Sequence, residues 1–142
     1  MKKRIVSLLL ASALAFTSFN APYMELKAAD QKVEQSIIEP KGQYLQRGTS
    51  SISEVGRGKI YASGTTVAQK DVKTVKVSVI LEQKRGNSWY HYKSWTAEKH
   101  NTYVITSGKT FTVPRKHWYR VRCIHSANSD ITDSNTNDLY AD

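Results

Sequence analysis

The clearest hydrophobic pattern in the chain lies within residues 72–83. Alternate positions of residues 75–81 are Val, Val, Val and Leu, and most positions between them are polar or charged. Because successive side chains of a strand point to opposite faces, this alternation predicts a strand with one buried face. Residues 84–88 contain glycine and asparagine and precede an aromatic segment at 89–96. The two segments are therefore predicted to form a hairpin.

A second alternating segment follows at residues 118–125, where Tyr119, Val121 and Cys123 alternate with two arginines. No segment beyond the N-terminal leader predicts a helix. Turn signals recur about every ten residues and separate about seven strands. This spacing predicts an all-β fold, an immunoglobulin-like Greek-key β-sandwich. Shorter strands are predicted at residues 55–64, 103–105 and 110–113 and near 139–140.

The position of Tyr119 adds a local detail to this prediction. In immunoglobulin-like sandwiches a tyrosine near the start of the sixth strand bonds through its hydroxyl to the backbone a few residues upstream. Tyr119 precedes two core-type residues on the same predicted face, Val121 and Cys123. Residues 119–128 also resemble the sixth strand and following turn of fibronectin type III domains.

The N-terminus has the pattern of a secretory signal. Residues 2–4 are basic, and residues 5–16 are apolar apart from two serines. About a dozen apolar residues are too few to span a ~30 Å hydrocarbon core, which needs ~20. We predict a signal-peptide helix within residues 1–29, cleavage near Ala28 or Ala29, and an extracellular mature protein. Residues 30–50 are predicted to be a polar extended or disordered leader, and residues 51–142 the β-sandwich domain.

The charge of the chain is unevenly distributed. The whole chain carries +9, whereas residues 30–125 hold 17 basic and seven acidic residues and therefore carry +10. Residues 126–142 contain four Asp and no Lys or Arg. A basic body favours polyanionic surroundings, which for an exported protein are wall polymers or lipid headgroups rather than nucleic acid. The Asp- and Asn-rich end predicts solvated turns, since its spacing is not that of an EF-hand loop.

Residues that could support catalysis are sparse. The four histidines are scattered singly, and Cys123 is the only cysteine, so no intrachain disulfide and no zinc site are predicted. Cys123 is predicted to be a small buried hydrophobe without reactivity. Glu54, Asp71, Glu82 and Glu98 are far apart in sequence, so a hydrolase depends on their convergence in space. We predict no enzymatic activity and no cofactor.

Aromatic and basic residues indicate a candidate binding surface. In a regular strand Trp89 and Trp95 would share one face with His91, and this face is predicted to close the core. Tyr90 and Tyr92 would then face solvent. Exposed aromatic rings next to basic side chains can stack on sugars or headgroups. The predicted binding residues are Tyr90, Tyr92, Arg120 and Arg122.

One set of short segments is shared with a known family: residues 77–82, 86–89, 93–95, 113–115 and 118–122, together with His125. In these segments the chain resembles a family of small secreted Gram-positive proteins of unknown function. The resemblance spans roughly residues 50–140 and implies an all-β domain behind a signal peptide, but it implies no activity and no site residues.

These observations together predict a secreted, non-catalytic binding module, monomeric and without a transmembrane segment in the mature chain. Its predicted partner is an anionic cell-wall polymer, a glycan or a lipid surface. An antimicrobial or toxin-like protein that acts on membranes is the alternative, since positive charge and aromatic residues suit that role too. No cationic amphipathic helix supports this alternative in the sequence.

Overall fold

The computed structural model describes residues 32–38 and 42–142, and in these residues the fold is all-β. The signal peptide predicted at residues 1–29 lies outside the described residues. No helix among the described residues is long and apolar enough to cross a membrane. The seven strands are β1 (Lys32–Ile38), β2 (Leu45–Gly56), β3 (Lys59–Arg85), β4 (Ser88–Thr112), β5 (His117–Ala127), β6 (Asp130–Asn135) and β7 (Leu139–Ala141).

All seven strands belong to one antiparallel sheet built around the long strand β3. The strand order is β1-β2-β3-β5-β6, with β4 also paired to β3 and β7 also paired to β5. On one side of β3, its first part pairs with β2 and its later part pairs with β5. On the other side, β4 pairs with both parts. The immunoglobulin-like Greek-key sandwich is therefore not confirmed; the coarser prediction of an all-β fold is.

The sheet bends back on itself at the middle of β3. The register between β3 and β4 shifts between Val67 and Val72, which marks the bend. Beyond it the two halves of β3 face each other: a Cβ added at Gly64 would lie 2.6 Å from Cys123 Sγ and 2.8 Å from a Val77 methyl. Glycine is thus required at residue 64 because the side chains of Cys123 and Val77 occupy the space that a Cβ would fill. The bent sheet is nearly barrel-like, with its core between the two halves.

We call the two halves of this sheet the first and second layers. The first layer consists of β1, β2, the first half of β3 and the last half of β4. The second layer consists of the remaining halves of β3 and β4 with β5, β6 and β7. The alternating residues Val75, Val77, Val79 and Leu81 are fully buried between the layers, as their pattern predicts. Burying such side chains contributes ~1.5–3 kcal/mol each.

Two local predictions can be compared directly with the structure. The hairpin between residues 84 and 88 is confirmed, and Gly86 has a φ of 61° in its turn, a conformation that favours glycine. The Tyr119 hydroxyl donates to the carbonyl of Pro114 at 2.6 Å and accepts from the Gln83 amide at 3.0 Å. This tyrosine therefore bonds back to upstream backbone as predicted, although it lies in β5.

Residues 32–38 and 45–50 belong to strands of the sheet, which their polar composition does not predict. β1 occupies residues 32–38, and β2 begins at Leu45, which is buried in the core. The Asp130 carboxylate accepts hydrogen bonds from the backbone N–H groups of Tyr44 and Leu45, at 2.7 and 3.1 Å, and these bonds lower its pKa. The sheet therefore begins before residue 51, the predicted start of the domain.

Candidate functional site

The predicted binding residues Tyr90 and Tyr92 lie in different environments. Tyr90 is 47% exposed, and the Arg85 guanidinium lies 5.2 Å from the centre of its ring. Tyr92 is instead half-buried against the core and makes an edge-to-face contact with Tyr119, their ring centres 6.0 Å apart. The prediction that Tyr92 presents an open face to solvent is therefore wrong, whereas Tyr90 is accessible.

A β-bulge explains this difference. Leu81 pairs with Lys93 and the next residue, Glu82, pairs with His91, so Tyr92 is the extra residue of β4. One extra residue reverses the alternation of side chains along the strand. Trp89 and Trp95 consequently lie on opposite faces, and the prediction that they share one face is wrong.

The environments of Trp89 and Trp95 follow from this reversal. Trp95 packs against the core, and its Nε1–H donates to Ser107 Oγ at 2.8 Å. Trp89 lies on the outer face of the second layer, directly opposite Lys84. The Arg120 guanidinium lies 4.5 Å from the centre of the Trp89 ring, a cation–π distance.

The two predicted arginines differ in whether an acidic side chain neutralises their charge. Arg120 Nε donates to Glu82 Oε1 at 2.8 Å, and both side chains are largely buried. Its positive charge is therefore balanced by Glu82, and its guanidinium packs against the Trp89 ring. Arg122 is half-buried on the same face of β5, opposite Ile80, and forms no ion pair with another described residue.

Two aromatic residues that the sequence did not single out extend this surface. Trp118 is 45% exposed and packs edge-to-face on Tyr140, which pairs with it from β7, with 5.1 Å between the ring centres. Trp118 lies one position beyond the Tyr119–Gln83 pair, so its neighbour on β3 is Lys84. We define the aromatic row as Trp89, Lys84, Trp118 and Tyr140. It crosses β4, β3, β5 and β7, a width of ~14 Å at the usual strand spacing.

A cleft opens beside the aromatic row, between β1 and β7. Its volume is about 430 Å³, within the range of small-ligand sites. The side chains of Trp118 and Tyr140 form one wall, and the Glu34 carboxylate opposite accepts from the Asn137 amide at 3.1 Å. The cleft is lined by Val33, Glu34, Trp118, Asp138, Leu139 and Tyr140. It provides room for a group that projects from a ligand stacked on the row.

The buried His125 resembles a catalytic base in its contacts but not in its access. Its Nε2 lies 2.8 Å from Ser134 Oγ and its Nδ1 lies 2.8 Å from Thr66 Oγ1, whose own hydroxyl donates to the Lys76 carbonyl. Thr66 must therefore accept from Nδ1–H, so Nε2 accepts from Ser134. His125 is fully buried and Ser134 nearly so. This arrangement is a neutral structural link between β3, β5 and β6.

Cys123 also lies in the interior. Its side chain is fully buried, and burial raises the pKa of the thiol to about 12. Its Sγ lies 3.7 Å from the Ser63 carbonyl. A buried thiol with a raised pKa has little thiolate, so it is a poor nucleophile. The predicted burial of Cys123 is confirmed.

Comparison with known proteins identifies the family. Residues 23–141 match a family described as of unknown function, DUF6147, and the chain belongs to it. This agrees with the resemblance in that the family has no assigned function. Comparison with curated proteins finds no match.

Two solved structures are similar to the chain at low levels. The solution structure of CsgH from R. palustris shares 12% identity and a TM-score of 0.38, over 75% of this chain and 92% of that one. The crystal structure of Spo0M, a sporulation control protein from Bacillus subtilis, shares 8% identity and a TM-score of 0.33, over 76% of this chain and 48% of that one. Similarity at this level does not assign a function.

Proposed function

We propose that the domain is a secreted, non-catalytic module that binds an anionic glycan of the cell wall through the aromatic row. The observation that carries the proposal is the alignment of Trp89, Lys84, Trp118 and Tyr140 across four neighbouring strands. Aromatic rings stack on the apolar faces of sugars, and a cation among them selects for negative charge. Export of the domain follows from the proposed signal peptide at residues 1–29.

In this proposal each residue of the row makes a separate contribution. Trp118 offers the most accessible aromatic face, because almost half of its surface is exposed. One face of Trp89 is occupied by Arg120, so Trp89 contributes its edge and its remaining face. Lys84 lies between these rings and supplies the cation of the row, whereas Arg85 and the exposed Tyr90 lie on the opposite face of β3 and β4 and do not belong to it. Arg122 extends the basic surface along β5.

The experiment is a pull-down of the mature protein with purified Gram-positive cell walls. Because Trp118 supplies the stacking surface, we expect Trp118→Ala to reduce the retained fraction by about tenfold or more. Tyr103→Ala is the matched control, since Tyr103 is 53% exposed but lies outside the aromatic row. Retention of Trp118→Ala at the level of the wild type would contradict the proposal.

Salt separates the contributions of charge and stacking. Surface charge interactions weaken as the Debye length falls from ~10 Å at 0.1 M to ~3 Å at 1 M salt. We therefore expect part of the wild-type binding to disappear at high salt and the Trp118-dependent part to persist. A parallel arm uses anionic liposomes loaded with a fluorescent dye. Dye release without cell-wall binding would favour the membrane-active alternative.

A further inference from the structure

The outer face of the first layer differs in composition from the rest of this basic chain. Twelve outward positions of β1, β2, β3 and β4 align in three rows, and none of them is charged, whereas the two rows that flank them hold Arg47 and Lys59. Because charged residues make up 23% of the chain, twelve average positions would include about three. We call this surface the hydroxyl face. Its rows are Val33, Ser53, Tyr61 and Thr110; Gln35, Ser51, Ser63 and Gly108; and Ile37, Thr49, Thr65 and Thr106.

Hydroxyl groups dominate this surface, since seven of the twelve residues are Ser or Thr, and all of these except the buried Ser53 are at least partly exposed. Thr65 and Thr106 face each other across β3 and β4, and their hydroxyl oxygens lie 2.8 Å apart. Each hydroxyl can donate one hydrogen bond and accept two, so a paired hydroxyl retains capacity for a further partner. The surface can therefore both donate and accept hydrogen bonds through uncharged groups.

Tyr61 lies along this surface rather than standing away from it. A Cβ added at Gly108 would collide with the Tyr61 hydroxyl, so the ring extends over the backbone of the neighbouring strand. The ring is 37% exposed and is surrounded by short side chains such as Ser63. Because Gly108 has no side chain, the Tyr61 ring can lie flat over the strand, at the same height as the neighbouring hydroxyl groups. Val33 and Ile37 add exposed apolar surface at the β1 edge.

We propose that the hydroxyl face binds the surface of an uncharged polysaccharide. Such a polymer presents hydroxyl groups alternating with apolar C–H faces, which the Ser/Thr side chains and the Tyr61 ring complement. The cations on this side of the layer, Arg47 and Lys59, lie in the rows that flank the twelve positions, so the centre of the face offers only uncharged groups. The proposal goes beyond the function proposed for the aromatic row, which lies on the outer face of the other layer and carries cations.

The size of the face argues for a polymer rather than a second copy of the chain. Four strands spaced ~4.8 Å apart and three rows spaced ~6.8 Å apart cover ~400 Å². A stable protein interface buries ~800 Å² on each partner, about twice this area. A polysaccharide surface repeats the same contacts many times, so a small face gains retention from rebinding and from multiple attachment points.

The test measures binding to insoluble uncharged polysaccharides, namely cellulose, chitin and a neutral β-glucan, in 1 M salt. Because a charge at the centre of the face would have to be desolvated on binding, Ser63→Glu and Ser63→Lys should each reduce the retained fraction at least tenfold. Ser63→Thr keeps the hydroxyl and should stay within twofold of the wild type. Gly108→Ala displaces Tyr61 and should also weaken binding. Circular dichroism confirms that each variant is folded.

Several outcomes would overturn the proposal. The first is that the wild type binds none of the three polysaccharides. The second is that Ser63→Lys binds them as well as the wild type does. Sedimentation that shows a wild-type dimer dissociated by Ser63→Glu would instead assign the face to a second copy. Binding to neutral phosphatidylcholine vesicles that Ser63→Glu abolishes would assign it to a lipid surface. Trp118→Ala, which tests the aromatic row, should bind these polysaccharides normally, so the two proposals can fail separately.

Discussion

The buried His125 makes the stability of the domain depend on pH in a specific range. Burial lowers the pKa of this imidazole from 6.5 to about 4, and the nearby Asp133 opposes the shift in part. The protonated ring could not accept from Ser134, so the charged form would lose a hydrogen bond as well as its solvation. The unfolded chain binds this proton near pH 6.5. Stability is therefore complete above pH 6.5 and falls as the pH drops toward 4.

The magnitude follows from the separation of the two pKa values. A difference between 6.5 and about 4 corresponds to about 3 kcal/mol of unfolding free energy once both states are protonated. At pH 5 about 2 kcal/mol of this should already be lost. A small domain has a total stability of only ~5–15 kcal/mol, so the effect is large enough to measure.

Urea unfolding of the wild type and His125→Gln, between about pH 7.5 and about pH 4.5, measures this contribution. His125→Gln lowers stability at neutral pH but removes the titrating group. The loss of its unfolding free energy between about pH 7.5 and about pH 5 should therefore be about 2 kcal/mol smaller than that of the wild type. Carboxylates titrate in both proteins and cancel in the comparison. His117→Gln is the matched control, because His117 is exposed, and it should keep the wild-type dependence. Parallel curves for the wild type and His125→Gln would refute the assignment.

Three further predictions test the core and the buried tyrosine. Gly64→Ala should cost ~1–3 kcal/mol in urea unfolding, because its methyl group would overlap Cys123, whereas Gly108→Ala should cost less, since the neighbouring Tyr61 is exposed and can move. Cys123 should react with a thiol reagent only as fast as the protein unfolds, and rapid labelling of the folded protein would contradict its burial. Tyr119→Phe should cost ~1–3 kcal/mol by the same assay, because it leaves the buried Gln83 amide without its hydrogen bond and also removes the bond to the Pro114 carbonyl; an unchanged denaturation midpoint would show that the bonds contribute nothing.

The parts of the fold that followed from sequence are those with a regular period. The alternation of residues 75–81 located a buried strand correctly, and Gly86 marked the hairpin. The lengths of the strands did not follow. Residues 55–64 and 72–83 were predicted as separate strands but belong mostly to β3, because the bend between Val67 and Val72 keeps strand geometry. A bent strand and two short strands have the same local pattern.

The candidate site was harder to predict because a single bulge controls it. Tyr92 is the extra residue of β4, and nothing in its neighbours distinguishes it from a regular strand position. The bulge reverses the faces of Trp89 and Trp95, so the period-two argument failed at the most aromatic segment of the chain. Trp118 and Tyr140 are far apart in sequence, and only the pairing of β5 with β7 brings them together. One hint of this surface was present in the sequence. Trp118 directly precedes the core residue Tyr119, so in a regular strand its large side chain would lie on the outer face.

The bend in β3 also explains how one strand supplies two chemically different surfaces. Inward side chains of both halves meet in the core, so the outward side chains of the two halves must point away from each other. In the first half the outward residues include Tyr61, Ser63 and Thr65, and in the second half they include Lys76 and Lys84. A flat sheet would present all of these on one face and mix the uncharged rows with the cations. Because the sheet bends instead, the uncharged rows of the first half and the lysines of the second half lie on surfaces that point in different directions, as the two proposed binding modes require.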